Sequence, residues 1–376
     1  MKESALYIHI PFCDHKCIYC DFYSIITSDN ITHFLNTIKK EIIHYSSHYS
    51  SERKFTSIFF GGGTPSLMEP EYINEILIAL NQNYKIDNDA EITLETNPGT
   101  VNTSKLKSFL NSGINRISIG IQSFKESDLK FLTRIHDRQT AINTISNARQ
   151  AGFENINIDL IFNLPGQSKE FWLDNLSIAV DLPVTHISAY SLILERGTIL
   201  NKLVLDGKVK IEGEDHDADL YEATIDFLEG SKFKQYEVSN FALDGFECRH
   251  NKAYWSYRDY LSFGPSAHSF VNGKRWWNYS SLKKYISEIE LNQTAQAGFE
   301  EPDLKQRIQE YVMLGLRSDG LNKKEFTTLY GSHWLETNSS NFNQLLQNGF
   351  LIEDNTILRL TKKGYAVCDE IIKNFN

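Results

Sequence analysis

The sequence predicts an α/β chain in which parallel strands alternate with helices, followed by a smaller winged-helix-like α+β domain at the C-terminus. Three observations predict it. Short β-branched and aromatic runs recur through the first 200 residues, each is followed by a segment of helical periodicity, and beyond about residue 300 the order changes to helix, helix, hairpin, helix.

The strand runs fall at 6–10, 55–60, 91–96, 116–121, 156–162 and 186–194. Between the first two, Ile31, Phe34, Leu35, Ile38, Ile42 and Tyr45 recur at intervals that place them on one helical face. Further helices are predicted over 70–80, over 103–111 before Gly113, over 140–151 before Gly152, and over 168–180. Parallel strands need right-handed crossovers, so the alternation implies either a doubly wound sheet or an open or closed barrel, and both collect ligands at the carboxyl ends of their strands. Polar residues stand at those ends: Gly61 to Thr64 after the second run, Glu95 in the third, Gln122 after the fourth and Asp159 within the fifth.

After about residue 200 the alternation fades. A charged helix over 214–229 leads to an aromatic region from Tyr236 to Trp277, and the polar stretch 292–302 has the composition of a linker. The tail is predicted as a helix over 322–330, a helix over 340–348 capped by Gly349, a hairpin over 350–360 and a helix from Thr361. Three segments are expected: a barrel over 1–200, an aromatic-rich extension over 201–291 that completes its core, and the C-terminal domain over 292–376.

A chain of 376 residues with 41% hydrophobic and 23% charged positions can bury a full core, which excludes a disordered or fibrous class. Its 38 basic against 48 acidic residues give −10, which argues against nucleic acid as a partner; the charges of the winged-helix-like tail nearly balance, and a packing or lid role is expected for it. No apolar run approaches the roughly 18 residues of a spanning helix, and the N-terminus lacks a signal-like apolar segment, so a cytoplasmic protein is expected.

Cys13, Cys17 and Cys20 form a C-x3-C-x2-C run placed directly after the first strand. Three of five cysteines so close together suit metal ligation in a reducing compartment. Structural zinc prefers four closed ligands, and Cys248 and Cys368 are solitary; three thiolates instead suit a [4Fe–4S] cluster whose fourth iron accepts an exogenous chelate. His15 is a further donor on the loop, expected to face solvent.

The segment from Tyr7 through the three cysteines to Phe22 resembles the radical S-adenosylmethionine (SAM) superfamily, in the branch related to oxygen-independent coproporphyrinogen oxidase, and the similarity extends over essentially the whole chain. The resemblance implies an incomplete barrel of about six β/α units. It also implies that the methionyl amine and carboxylate of SAM chelate the unique iron, and that the reduced cluster can cleave SAM to a 5′-deoxyadenosyl radical. Gly61 to Ser66 is similar to the family's glycine motif, which assigns Gly62, Gly63 and Thr64 to the methionyl end; glycine adds no Cβ where a ligand must approach. Glu95, Gln122, Arg134 and Asp159 match pocket-lining positions, and Tyr7 and Tyr19 match cofactor contacts.

Two departures from the oxidase matter: Phe22 stands where the oxidase carries a further cysteine, and Cys13 lies close to the N-terminus. Cys20-Asp-Phe22 and the run His250-Asn-Lys-Ala-Tyr-Trp255 resemble instead the branch's haem-chaperone subgroup. That resemblance implies a haem carrier delivering to respiratory haem proteins, with peripheral contact at the membrane, and makes His250 the candidate axial ligand among aromatics that can cover a macrocycle. Cys248 and His268 are alternative ligands, the His250–Asn251 pair can equally satisfy buried backbone, and Trp276 and Trp277 are expected to pack. The alternative activities are oxidative decarboxylation of coproporphyrinogen and a zinc-stabilised barrel without redox chemistry.

Overall fold

The computed structural model describes residues 1–27 and 29–375. Six strands, β1 (Lys2–Ile10), β2 (Arg53–Gly62), β3 (Ile86–Thr96), β4 (Arg116–Gln122), β5 (Asn155–Phe162) and β6 (His186–Ser191), pair in parallel and in chain order. Helices Ile31–Tyr49, Pro70–Asn83, Thr103–Asn111, Arg138–Ala151 and Lys169–Asp181 connect them. Ile8, Ile58, Leu94, Ile117 and Ile158 pack against these helices in one large core, because alternate strand residues face the helical layer. The opposite faces turn inward and are polar: His9 pairs with Gly61, Glu95 with Ser118, and Gly120 with Asp159.

The barrel does not close on itself. Beyond β6 lie β7 (Lys234–Glu237) and β8 (Asn240–Ala242). Beyond β1 lie β9 (Tyr260–Phe263), β10 (His268–Val271), β11 (Lys274–Asn278) and β12 (Gln296–Glu300), so one twelve-stranded sheet results. β9 runs parallel to β1, while β10, β11 and β12 return antiparallel. The 292–302 stretch therefore differs from its linker expectation: it contains an edge strand whose backbone pairs with β11, a non-local contact that its polar composition does not announce. Leu261, Phe263, Trp276 and Tyr285 join the same core as the barrel.

One buried carboxyl fastens this extension. Glu41, on helix Ile31–Tyr49, accepts from Gly264 N (2.9 Å), Asn278 Nδ2 (2.6 Å) and Tyr285 Oη (2.7 Å). Burial pushes it up to about 7 despite those three donors.

The C-terminal part forms a second core around Val312, Leu316, Phe326 and Leu358, under a small sheet of β13 (Leu321–Asn322), β14 (Leu351–Asp354) and β15 (Ile357–Leu360). Helices Lys323–Tyr330 and Ser339–Gln347 and the β14–β15 hairpin give the expected winged-helix-like order. Helix Leu304–Leu316 begins at a reciprocal capping box between Asp303 and Gln306.

Candidate functional site at the barrel mouth

The cysteine loop leaves β1 at the carboxyl end of the barrel and is pinned from several sides. Ile25 N donates to Pro11 O (2.7 Å) and Cys13 N to Ile25 O (2.9 Å), closing the loop at its base. Ile18 N donates to Thr133 Oγ1 (3.2 Å), and Leu200 N to Ile18 O (2.9 Å), tying the loop's middle to the segments after β4 and β6. His15 differs from its expected solvent position, since its Nε2 lies 3.4 Å from Thr133 Oγ1. Cys13, Cys17 and Cys20 are all partly exposed and unpaired. Burial raises the Cys13 and Cys20 thiols, the latter to about 11; the Cys17 charge raises both further, and the Cys13 charge raises Cys20 as well. Among the described residues no three His, Cys, Asp or Glu side chains gather tightly enough to enclose a single ion. A cubane takes one thiolate per corner rather than several donors on one ion, and this loop carries three free cysteines.

The glycine run abuts this loop. Gly63 N donates to Ile10 O (2.8 Å) and Thr64 N to Phe12 O (2.7 Å), so the end of β2 is laced to the cysteine segment through its backbone. A Cβ on Gly63 would stand 2.6 Å from the Phe12 carbonyl oxygen, and one on Gly62, at φ +108°, would stand 2.5 Å from the His9 ring. Only glycine permits either approach. Thr64 is buried, with Oγ1 3.4 Å from Cys13 Sγ.

The remaining expected residues converge on the same mouth. Glu95 Oε2 accepts from Gly62 N (3.2 Å); burial and the Asp159 charge push its carboxyl up to about 8. Asp159 accepts from Asn157 Nδ2 (2.8 Å) and is raised by burial. Arg134 places Nη1 3.6 Å from Cys17 Sγ and donates through Nη2 to Asn97 Oδ1 (2.7 Å) and Gly120 O (2.6 Å), while its buried Nε has no partner among the described residues. Gln122 adopts φ +71° at a register shift in β4, which turns its amide towards Gly120. Tyr19 lies beside Arg134, and Tyr7 sits under Glu95 with its hydroxyl 3.3 Å from His9 Nδ1; burial raises both phenols. An orphaned guanidinium nitrogen, a cradle that a Cβ would fill and three adjacent thiols together fit an anionic or zwitterionic ligand bound beside a three-thiolate cluster.

His250 does not belong to this group. It is 2% exposed on helix Arg249–Trp255, with Nδ1 3.1 Å from Ser57 Oγ and Nε2 3.0 Å from Tyr254 Oη, and it stacks on Phe59 at 5.0 Å. Ser57 precedes Gly61 by four strand residues, so His250 lies roughly 13 Å below the mouth. Both of its ring nitrogens are engaged within the protein, and burial together with Arg116 holds the imidazole down at about 3. The helix plugs the lower end of the barrel, where its backbone and Cys248 Sγ meet Glu91 Oε1 at 3.2 and 3.4 Å. Cys248, wholly buried, is likewise closed off, and Trp276 packs in the core as expected.

Sequence reasoning missed two residues of the mouth. Asn97, two after Glu95 in the same tetrapeptide, donates to Thr64 Oγ1 (2.8 Å) and accepts from Arg134, joining the glycine run to the guanidinium. His9, alternating with Tyr7 on β1, donates from Nε2 to Tyr23 O (2.9 Å) and fixes the far arm of the cysteine loop. The period of two along β1 and the run Glu95 to Pro98 were the available signals.

With this geometry in place, comparison with known proteins is direct. The model of the radical SAM superfamily matches residues 7–176, and that of the HemN C-terminal domain matches residues 303–367. The chain is 34% identical to the heme chaperone HemW of Bacillus subtilis over 99% of this chain and 98% of that one, and 31% identical to HemW of Lactococcus lactis over 100% and 97%. It is also 34% identical to the mitochondrial radical S-adenosyl methionine domain-containing protein 1 of Danio rerio, over 98% and 86%. Among solved structures, coproporphyrinogen III oxidase (HemN) from Escherichia coli, a radical SAM enzyme, superposes with a TM-score of 0.85 over 100% of this chain and 90% of its own at 23% identity, a likeness of fold. The superfamily match implies SAM and a [4Fe–4S] cluster as cofactors. By identity sustained from one end to the other, the chain belongs to the HemW family of radical SAM proteins.

Proposed function

We propose that the chain is a haem carrier: it binds iron protoporphyrin and passes it to respiratory haem proteins, using a SAM-liganded [4Fe–4S] cluster held at the barrel mouth. The observation that carries this reading is the full-length identity to proteins named heme chaperones, with Phe22, half exposed or more, where the oxidase pattern has a cysteine. Cys13, Cys17 and Cys20 would hold three irons and leave the fourth open. Gly62, Gly63 and Thr64 offer main-chain atoms and a hydroxyl to the methionyl end, and Glu95 and Asp159 offer carboxyls to its ammonium or to ribose hydroxyls. Tyr7, Tyr19, Gln122 and Arg134 wall the pocket, Arg134 bringing a fixed cation to the loop. Bound there, cluster and SAM supply one-electron chemistry; the chain's own residues orient them and keep the mouth polar.

We infer exchange in the cytoplasm with peripheral contact at the membrane; among the described residues no helix is long and apolar enough to cross one. The test is anaerobic reconstitution followed by spectra before and after added hemin, then incubation with coproporphyrinogen. A bound Soret band and haem transfer to an apo-cytochrome are expected. Sustained protoporphyrinogen production would overturn the carrier reading in favour of the oxidase.

A further inference from the structure

Resting on the haem-carrier function proposed above, we infer that His268, on β10 beside the barrel mouth, is the axial ligand through which iron porphyrin is held. The sheet register places it there. β9 runs parallel to β1 and β10 antiparallel to β9, so the first residue of β10 stands two residues nearer the mouth than Phe270 and comes level with Ser262 and Tyr7. His268 shares the inward face of the sheet with Phe270, which pairs with Tyr260, and Tyr260 in turn pairs with Ala5 on β1. It is close enough to His9 for a charge on its ring to disfavour one on His9.

The ring is presented as a ligand should be. His268 is exposed, and its Nδ1 lies 3.1 Å from Ser266 O. A carbonyl can only accept, so Nδ1 carries the proton and the Nε2 lone pair is left for metal; orientation of a ligating imidazole by a main-chain carbonyl is the usual arrangement around metals. No hydrogen-bond partner for Nε2 occurs among the described residues. His250 fails on both counts, since both its nitrogens are engaged and it is buried.

The support is rigid. Buried Glu41 ties Gly264, just before the turn that carries Ser266, to Asn278, just after Trp277. Asn278 Nδ2 also donates to Gly264 O (2.9 Å), and a Cβ on Gly264 would stand 2.5 Å from His9 O, so the turn is locked against β1. Trp277 pairs with His268 across the sheet, its indole 6.0 Å away at 31°, and lies so flat on Gly298 that a Cβ there would fall 2.5 Å from the ring. Trp277 would offer its indole as apolar cover for a porphyrin held at His268. Phe22 and Ile26, 61% and 62% exposed, flank Tyr23, whose carbonyl meets His9; they add apolar surface on the cysteine-loop side.

The experiment is hemin titration of the cluster-loaded full chain, parent and His268→Ala, followed by addition of imidazole. The parent should give a bound Soret band; the variant should bind hemin more weakly by about tenfold or more, and imidazole should restore the parental band. His268→Met should shift the band to that of a thioether-ligated haem, and iron and sulfide content should stay at parental levels in both variants. A His268→Ala titration that overlays the parent, or a loss that imidazole does not repair, overturns this assignment while leaving the carrier function standing. A parent that gives no bound band overturns the carrier function and the assignment with it.

Discussion

Arg134 reaches from the segment after β4 to the cysteine loop, with its Nη1 3.6 Å from Cys17 Sγ and its Nη2 2.7 Å from Asn97 Oδ1. One guanidinium thus joins the thiol trio to the residue that holds Thr64, and it brings positive charge to the place where a cluster would gain an electron. Arg134→Gln should therefore lower the cluster's midpoint potential by about 60 mV, the equivalent of a charge-assisted hydrogen bond of about 1.4 kcal/mol for one electron. Redox titration followed by electron paramagnetic resonance checks this, and an unchanged potential would count against the proposed contact.

Each of Cys13→Ala, Cys17→Ala and Cys20→Ala should abolish retained iron after anaerobic reconstitution, because two thiolates cannot hold the cube at three corners. Gly63→Ala should lower iron retention without touching a ligand, because its Cβ would press on the Phe12 carbonyl at 2.6 Å. The displacement should cost about 1–3 kcal/mol, read as a lower Tm of the metal-free chain. Full iron content in any cysteine variant would remove that residue from the site.

Glu95 gives the metal-free chain a pH signature. Burial and Asp159 raise its carboxyl from 4.5 to about 8, so between those values the folded chain holds a proton that the unfolded chain has released. The stabilisation tied to Glu95 is complete below about pH 4.5 and is lost as pH rises through about 8. Glu95→Gln should flatten the fall in Tm between pH 5 and pH 8. An equally steep fall in the variant would show that the carboxyl is ionised in the folded chain.

His250→Ala should act on stability. It removes a ring stacked on Phe59 and leaves Ser57 and Tyr254 without their partner, a loss of about 2–4 kcal/mol. Denaturant unfolding measures it, and a variant as stable as the parent would contradict the buried, doubly bonded histidine.

Glu41→Ala should release the extension from the barrel. Gly264 N, Asn278 Nδ2 and Tyr285 Oη would lose their shared acceptor inside the core, costing about 3 kcal/mol, with β9 to β11 exchanging amide hydrogens faster than β2 to β5. Uniform exchange across the sheet would show that Glu41 does not hold that edge.

The sequence by itself determined the six parallel units, since alternating apolar runs and helical faces are local patterns whose period the chain carries with it. It also determined the thiol trio and the glycine run, because their chemistry depends on spacing within a few residues. Only the tertiary structure decided which distant residues share the mouth: Arg134 and Cys17 are 117 residues apart, and Asn97 became visible as their link only once β3 and β4 were in register. The same holds for the histidines. Ring type and aromatic neighbours singled out His250, but whether a histidine nitrogen faces metal or core depends on what packs against it. Folding buried His250 between Ser57 and Tyr254 and left the Nε2 of His268 without a partner among the described residues.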